Sequence, residues 1–173
     1  MTLSLYDATI PAYLQILGAV DRLLDKAAAF AAGRGMAEGE LIEARLAPDM
    51  LPFGYQVKSC VAHSTGAIEG VRAGHYTPDM TPWPGDVAGL HAAVRGAITT
   101  LEAIDTAELE TLAGRDTEFR FGEMVLPFTG ANFLLSFAQP NFYFHATTAY
   151  AILRAQGVAL GKTDFMGRPR IGR

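Results

Sequence analysis

Four stretches of the chain carry apolar residues at helical spacing. In the first, Tyr6, Ile10, Tyr13, Leu17, Val20, Leu24 and Ala27 recur in steps of four and three, which lines one face of an α-helix. The stripe predicts a helix from about Leu5 to Ala32, stopped by Gly33-Arg34-Gly35. A second stripe runs Met50, Phe53, Val57, Val61, Ser64, Ile68 and Val71, with Pro48 and Pro52 in its first turn and Gly70 and Gly74 at a fraying end. A third reads Val87, Leu90, Val94, Ala97, Leu101 and Ile104 behind Pro84-Gly85-Asp86, with Asp86 as the N-cap. The fourth follows a cap at Thr129 and reaches about Gln156. Its stripe after Pro140 is Phe142, His145, Ala149, Ile152 and Gln156, and Pro140 predicts either a kink or a restart.

The period changes between Thr117 and Phe128. Phe119 and Phe121 alternate with Glu118 and Arg120, Gly122-Glu123 can turn, and Met124-Val125-Leu126 can return. This predicts a small β-hairpin before the last helix. The proline-rich stretch HYTPDMTPWPGD reads as loop, with Trp83 folding over one end of the helices as a cover. The sum is an all-α, single-domain four-helix bundle spanning residues 1–173, with the hairpin as an insertion. Long connections at about 33–47 and 73–85 permit a crossover.

Composition narrows the partners. Half of the 173 residues are hydrophobic, 18% are charged, and the formal net charge is −4. That describes a filled globular core and offers no electrostatic footprint for nucleic acid. The basic residues Arg168, Arg170 and Arg173, with Lys162 upstream, read as a solvated terminus. The acidic group Asp105, Glu108 and Glu110 also reads as solvated. The single cysteine, Cys60, excludes an internal disulfide and falls in an apolar pattern, as a buried inert thiol does. No apolar run approaches membrane-spanning length, and the opening MTLSLYDATI lacks the regions of a signal peptide, so a cytoplasmic location is expected.

Candidate chemistry centres on histidine. None of His63, His75, His91 and His145 is paired at i, i+4, and no HExxH occurs. His63 lies in the second helix and His145 in the fourth, and facing helices of a bundle can share a site. Asn141 sits one turn before His145, and Gln56 lies near the start of the second helix. Gln56, His63, Asn141 and His145 are therefore the candidate ligand-binding cluster. The bland alternative is a buried histidine bonded to a neighbour such as Gln56. Other motifs fail. There is no G-x-S-x-G elbow, Ser64 is adjacent to His63 and so faces away from it, and Gly157–Thr163 lacks the strand and first glycine of a phosphate loop.

ARLAPDMLPFGYQV (Ala44 to Val57) and QPNFYFHATTAYAILRAQGVALGKTDFMG (Gln139 to Gly167) resemble an uncharacterised family, "domain of unknown function nineteen ninety-three", placed with the DinB/YfiT-like four-helix bundles. The resemblance covers nearly the whole chain. It implies four long helices, frequent dimers, and a metal at one end held by three histidines, one from the second helix and two from the fourth. Laid onto this sequence, those positions fall at Gln56, Asn141 and His145, so one histidine of three remains. The resemblance thus implies a non-catalytic or small-ligand-binding bundle with a degenerate metal site and no cofactor. The alternative is a metal-dependent transferase or hydrolase with zinc or nickel anchored by His145. A homodimer is expected under either reading, because Phe142, Tyr143, Phe144 and Tyr150 form a surplus of apolar surface.

Overall fold

The computed structural model describes residues 3–172; the Arg173 end of the basic tail lies outside them. The chain is mostly helical with one small sheet. Helix α1 (Leu5–Arg34) opens on Ser4, whose hydroxyl accepts from the Asp7 amide, and closes on Gly35 at a φ of 63°. That left-handed turn is where glycine is favoured. A short α2 (Glu38–Ile42) lies in the connection. The second long helix is continuous but not uniform: α3 (Phe53–Val61) passes through a π-helical turn, Ala62–Gly66, into α4 (Ala67–Ala73). Helix α5 (Val87–Glu102) is capped by Asp86 and is followed by α6 (Thr106–Leu112). The fourth long helix begins as α7 (Gly130–Asn132) behind Thr129. It runs through a second π turn, Phe133–Ala138, into α8 (Gln139–Ala155), and a short α9 (Lys162–Met166) follows.

The main helix contacts join α1 to α5 and α8, and α3 to α8 and α5. The first and second long helices therefore meet little, and the connection between them crosses over, as its length allowed. The stripes read from sequence fill the core. Ile10, Tyr13, Leu17 and Leu24 of α1 meet Leu90, Val94 and Leu101 of α5, and Phe53, Val57, Phe142 and Ile152 complete the same cluster. Each such side chain, fully removed from water, contributes about 1.5–3 kcal/mol. Phe142 is wholly buried, its ring edge-on to Tyr13 at 4.8 Å. It is core rather than surplus surface, and of the four aromatics only Tyr143 and Phe144 are exposed.

The sheet is larger than a hairpin. Strands β2 (Asp116–Phe121) and β3 (Met124–Thr129) pair antiparallel around Gly122, whose φ is 57°. A two-residue turn with glycine first matches the twist of the strands. Strand β1 (His75–Tyr76) adds in parallel on the other side of β2, so the stretch read as loop supplies a strand. The Glu118 amide donates to the Gly74 carbonyl at 3.0 Å. Glu118 thus turns its amide away from β3, and its partner Pro127 turns its own nitrogen to the free edge of β3. The outer edge lacks a donor there, which discourages another strand from adding.

The acidic group near the third helix is not merely solvated. Asp105 caps α6 through the Glu108 amide, Glu108 grips Arg72 with both oxygens at 2.8 and 2.9 Å, and Glu110 accepts from the Tyr6 amide. Trp83 does cover the start of α3. Its indole donates to Glu43 at 2.8 Å, and a Cβ on Gly54 would meet it at 2.4 Å.

Candidate functional site

Gln56 lies in the first turn of α3 and is buried. Its amide nitrogen donates to the Leu51 carbonyl at 2.8 Å, a group that the helix itself cannot satisfy. The amide oxygen is left as an acceptor, and His145 Nδ1 lies 2.7 Å from it. That oxygen can only accept, so the proton sits on Nδ1 and the neutral ring keeps its lone pair on Nε2. Burial pushes the His145 pKa down to about 4, so the ring is neutral at pH 7.

His63 comes to this ring through the π turn. A π turn holds about one more residue than an α turn, which shifts the face presented by the residues inside it. The rings of His63 and His145 stack with centroids 5.4 Å apart and planes tilted by 10°. Tyr55 stands edge-on to His145 at 5.8 Å, while Tyr76 and Phe137 lie 5.8 and 6.1 Å from His63. Phe137 belongs to the second π turn, so both irregular turns meet at this point. Burial, and then the positive charge His145 would carry, hold the His63 pKa at about 4. Its Nδ1 is buried without a partner among the described residues. An unpaired acceptor is cheaper there than an unpaired N–H, so the proton belongs on Nε2.

Asn141 does not join the cluster by any hydrogen bond. Its amide nitrogen donates to the Phe137 carbonyl at 2.8 Å, within its own helix. This bond lies beside Pro140, which has no N–H to give to the Ser136 carbonyl. The helix continues through Pro140 by way of the π turn rather than stopping.

The residues at the positions of a three-histidine site do not fit a metal. Gln56 Oε1 is taken by His145 Nδ1, and Asn141 is tied to its own helix through its amide nitrogen, which leaves one imidazole nitrogen, His145 Nε2, and one weakly ligating amide oxygen at these positions. A metal must lie in the plane of each imidazole that binds it, and two stacked, near-parallel rings do not aim their lone pairs at one point. Among the described residues no group of three or more His, Cys, Asp or Glu is placed to hold an ion.

Beside this pair runs a groove of about 500 Å³. One wall is the second long helix, with Val61, Ala62, Gly66 and Gly70, and the other is the segment from His75 to Asp79. A cleft of about 20 Å³, lined by Tyr55, Ser59 and His63 among others, shares Lys58, Ala62, Tyr76 and Asp79 with the groove. Sequence reasoning grouped His63, which lines the cleft, with Gln56, Asn141 and His145, but missed Lys58, Glu69, Tyr76 and Asp79. One signal was available: Gly70 sits against β1, where a Cβ would meet Tyr76 Cβ at 2.8 Å. It marks a close approach rather than a fraying end.

No curated protein matches the chain. Among solved structures it is similar to a DinB family member protein from Shewanella denitrificans, at 28% identity and a TM-score of 0.81 over 98% of this chain and 95% of that one. The profile of a domain of unknown function, DUF1993, matches residues 5–166. The chain belongs to that family, a branch of the DinB-like proteins.

Proposed function

We propose that this protein is a DinB-type four-helix bundle that binds a small organic ligand without a bound metal or other cofactor. Gln56, His63 and His145 form the inner wall of its site, and the groove along the second helix is the way in. The observation that carries this reading is the flat stack of two neutral imidazoles, 5.4 Å apart and 10° from parallel, of which His63 lines the small cleft that adjoins the groove. Such a pair offers apolar faces and uncharged hydrogen-bonding edges to an organic molecule, and it cannot chelate. Asn141, committed to its own helix, takes no part.

The test pairs elemental analysis of protein prepared without tag or chelator with thermal unfolding in zinc and in nickel. The expected result is substoichiometric metal and an unmoved melting temperature, together with small-molecule fragments that perturb the amides of Tyr55, Ser59 and His63. A ligand that binds only the folded state must raise the melting temperature. A rise of several degrees with either metal, lost in His145→Ala, would replace this reading with a metal-dependent transferase or hydrolase anchored by His145.

The protein also assembles, in this proposal, as a homodimer that covers Phe144, 59% exposed, and Tyr143 next to it. A monomer mass by light scattering at micromolar concentration would refute the assembly.

A further inference from the structure

We propose that the groove takes an organic cation: an amine carried on a compact apolar body. The inference rests on the reading of the protein as a small-ligand binder and adds the ligand's charge. The floor is apolar and low, built from Val61, Ala62, Gly66, Gly70 and Ala73. Contact with Tyr76 keeps Gly70 without a side chain, so the floor cannot be filled from there. Around it stand three formally charged side chains, Lys58, Glu69 and Asp79.

Lys58 is already spent. Its ammonium lies 3.0 Å from the Asp79 carbonyl, 3.0 Å from Thr81 Oγ1 and 3.0 Å from Asp79 Oδ2, and it also donates to the Thr81 carbonyl. With three N–H groups and four acceptors it has no donor left for an anion entering the groove. The two carboxylates are open by comparison, with Glu69 58% and Asp79 52% exposed at the side chain. Asp79 is held ionised, its carboxyl lowered to about 2 by the Thr81 amide first, then by the Thr81 hydroxyl and Lys58. Glu69 pairs with Arg72, but Arg72 is shared with Glu108, which takes it by two bonds. Counted together, the cations Lys58 and Arg72 face the anions Glu69, Asp79 and Glu108, and the excess is negative. Thr65 and Thr77 add hydroxyls. Among the described residues an anionic ligand finds no free Lys or Arg in this lining, and a neutral one leaves the excess negative charge unmatched. An ammonium group meets Glu69 and Asp79 while its apolar body covers the floor.

The experiment is an amide chemical-shift titration with three probes of one shape: benzylamine, benzyl alcohol and benzoate. The expected result is saturable shifts at Thr65, Gly66 and Gly70 with benzylamine, at a Kd at least tenfold below those of the other two. Binding should weaken severalfold in Glu69→Gln and with added salt, since the attraction is between exposed charges. Asp79→Asn supplies a second variant should Glu69→Gln disturb Arg72. Benzoate or benzyl alcohol binding in the groove as tightly as benzylamine would overturn the charge assignment and leave the ligand-binding reading standing. Benzylamine shifts indifferent to both variants would overturn it too. Absence of shifts with all three probes would count against both.

Discussion

Acid should destabilise this protein through two particular side chains. His63 and His145 have pKa values of about 4 in the folded state against an ordinary 6.5. Between those values the unfolded chain binds the protons and the folded one does not, so stability falls as pH falls and the full loss is reached below pH 4. From pH 7 to pH 5 the linkage amounts to about 2 kcal/mol for each ring. The two together approach about 4 kcal/mol, a large part of the about 5–15 kcal/mol that holds a domain folded. Urea unfolding at the two pH values measures it, with His63→Phe as the comparison, because a phenyl ring keeps the stack on His145 and cannot titrate. The other histidines and the carboxylates act equally on both proteins and cancel in the difference. His63→Phe should lose about 2 kcal/mol less than the parent between pH 7 and pH 5. Equal losses would refute the reasoning, for they would mean that His63 is not held neutral by its surroundings.

Replacing Gln56 by Leu leaves the His145 N–H buried without an acceptor and should cost about 1–3 kcal/mol, read from the urea midpoint; a second change, His145→Leu, should recover part of that cost. Gly130→Ala places a Cβ 2.1 Å from the backbone oxygen of Leu112, and the melting temperature should fall by several degrees, since overpacking costs about 1–3 kcal/mol. Pro127→Val gives the outer edge of β3 a donor, and sedimentation should then show association, beyond that of the parent, that rises with concentration.

The long helices were legible because each buries one stripe, and a stripe has a period. Leu90, Val94 and Leu101 were found by spacing alone and are all buried. The hairpin was legible for the same reason at a period of two. Strand β1 was not, since two residues cannot display an alternation. Helix α6 carried a readable start, Asp105 with Glu108 three residues on, which resembles a capping box; the acidic cluster drew attention from it. At the site, the stripe placed His145 inward and made Gln56 its natural partner. The approach of His63 had no sequence signal, because both α and π turns are built from ordinary helix-forming residues. The tether of Lys58 to Thr81 joins positions 23 apart through an irregular loop, and no pattern encodes it.

The π turn at Ala62–Gly66 also determines how the gene can change length. A widened turn is a seam: one codon lost there lets the backbone close into regular α geometry without breaking the helix. Everything after the seam would keep its face, because an α turn with one residue fewer covers about the same angle as the π turn it replaces. Ile68 and Val71 would stay in the core, and the change would fall on the residues inside the turn, His63 among them. The fold would therefore survive such a deletion while the site would not, and related chains that lack this residue are expected to lack the histidine stack with it.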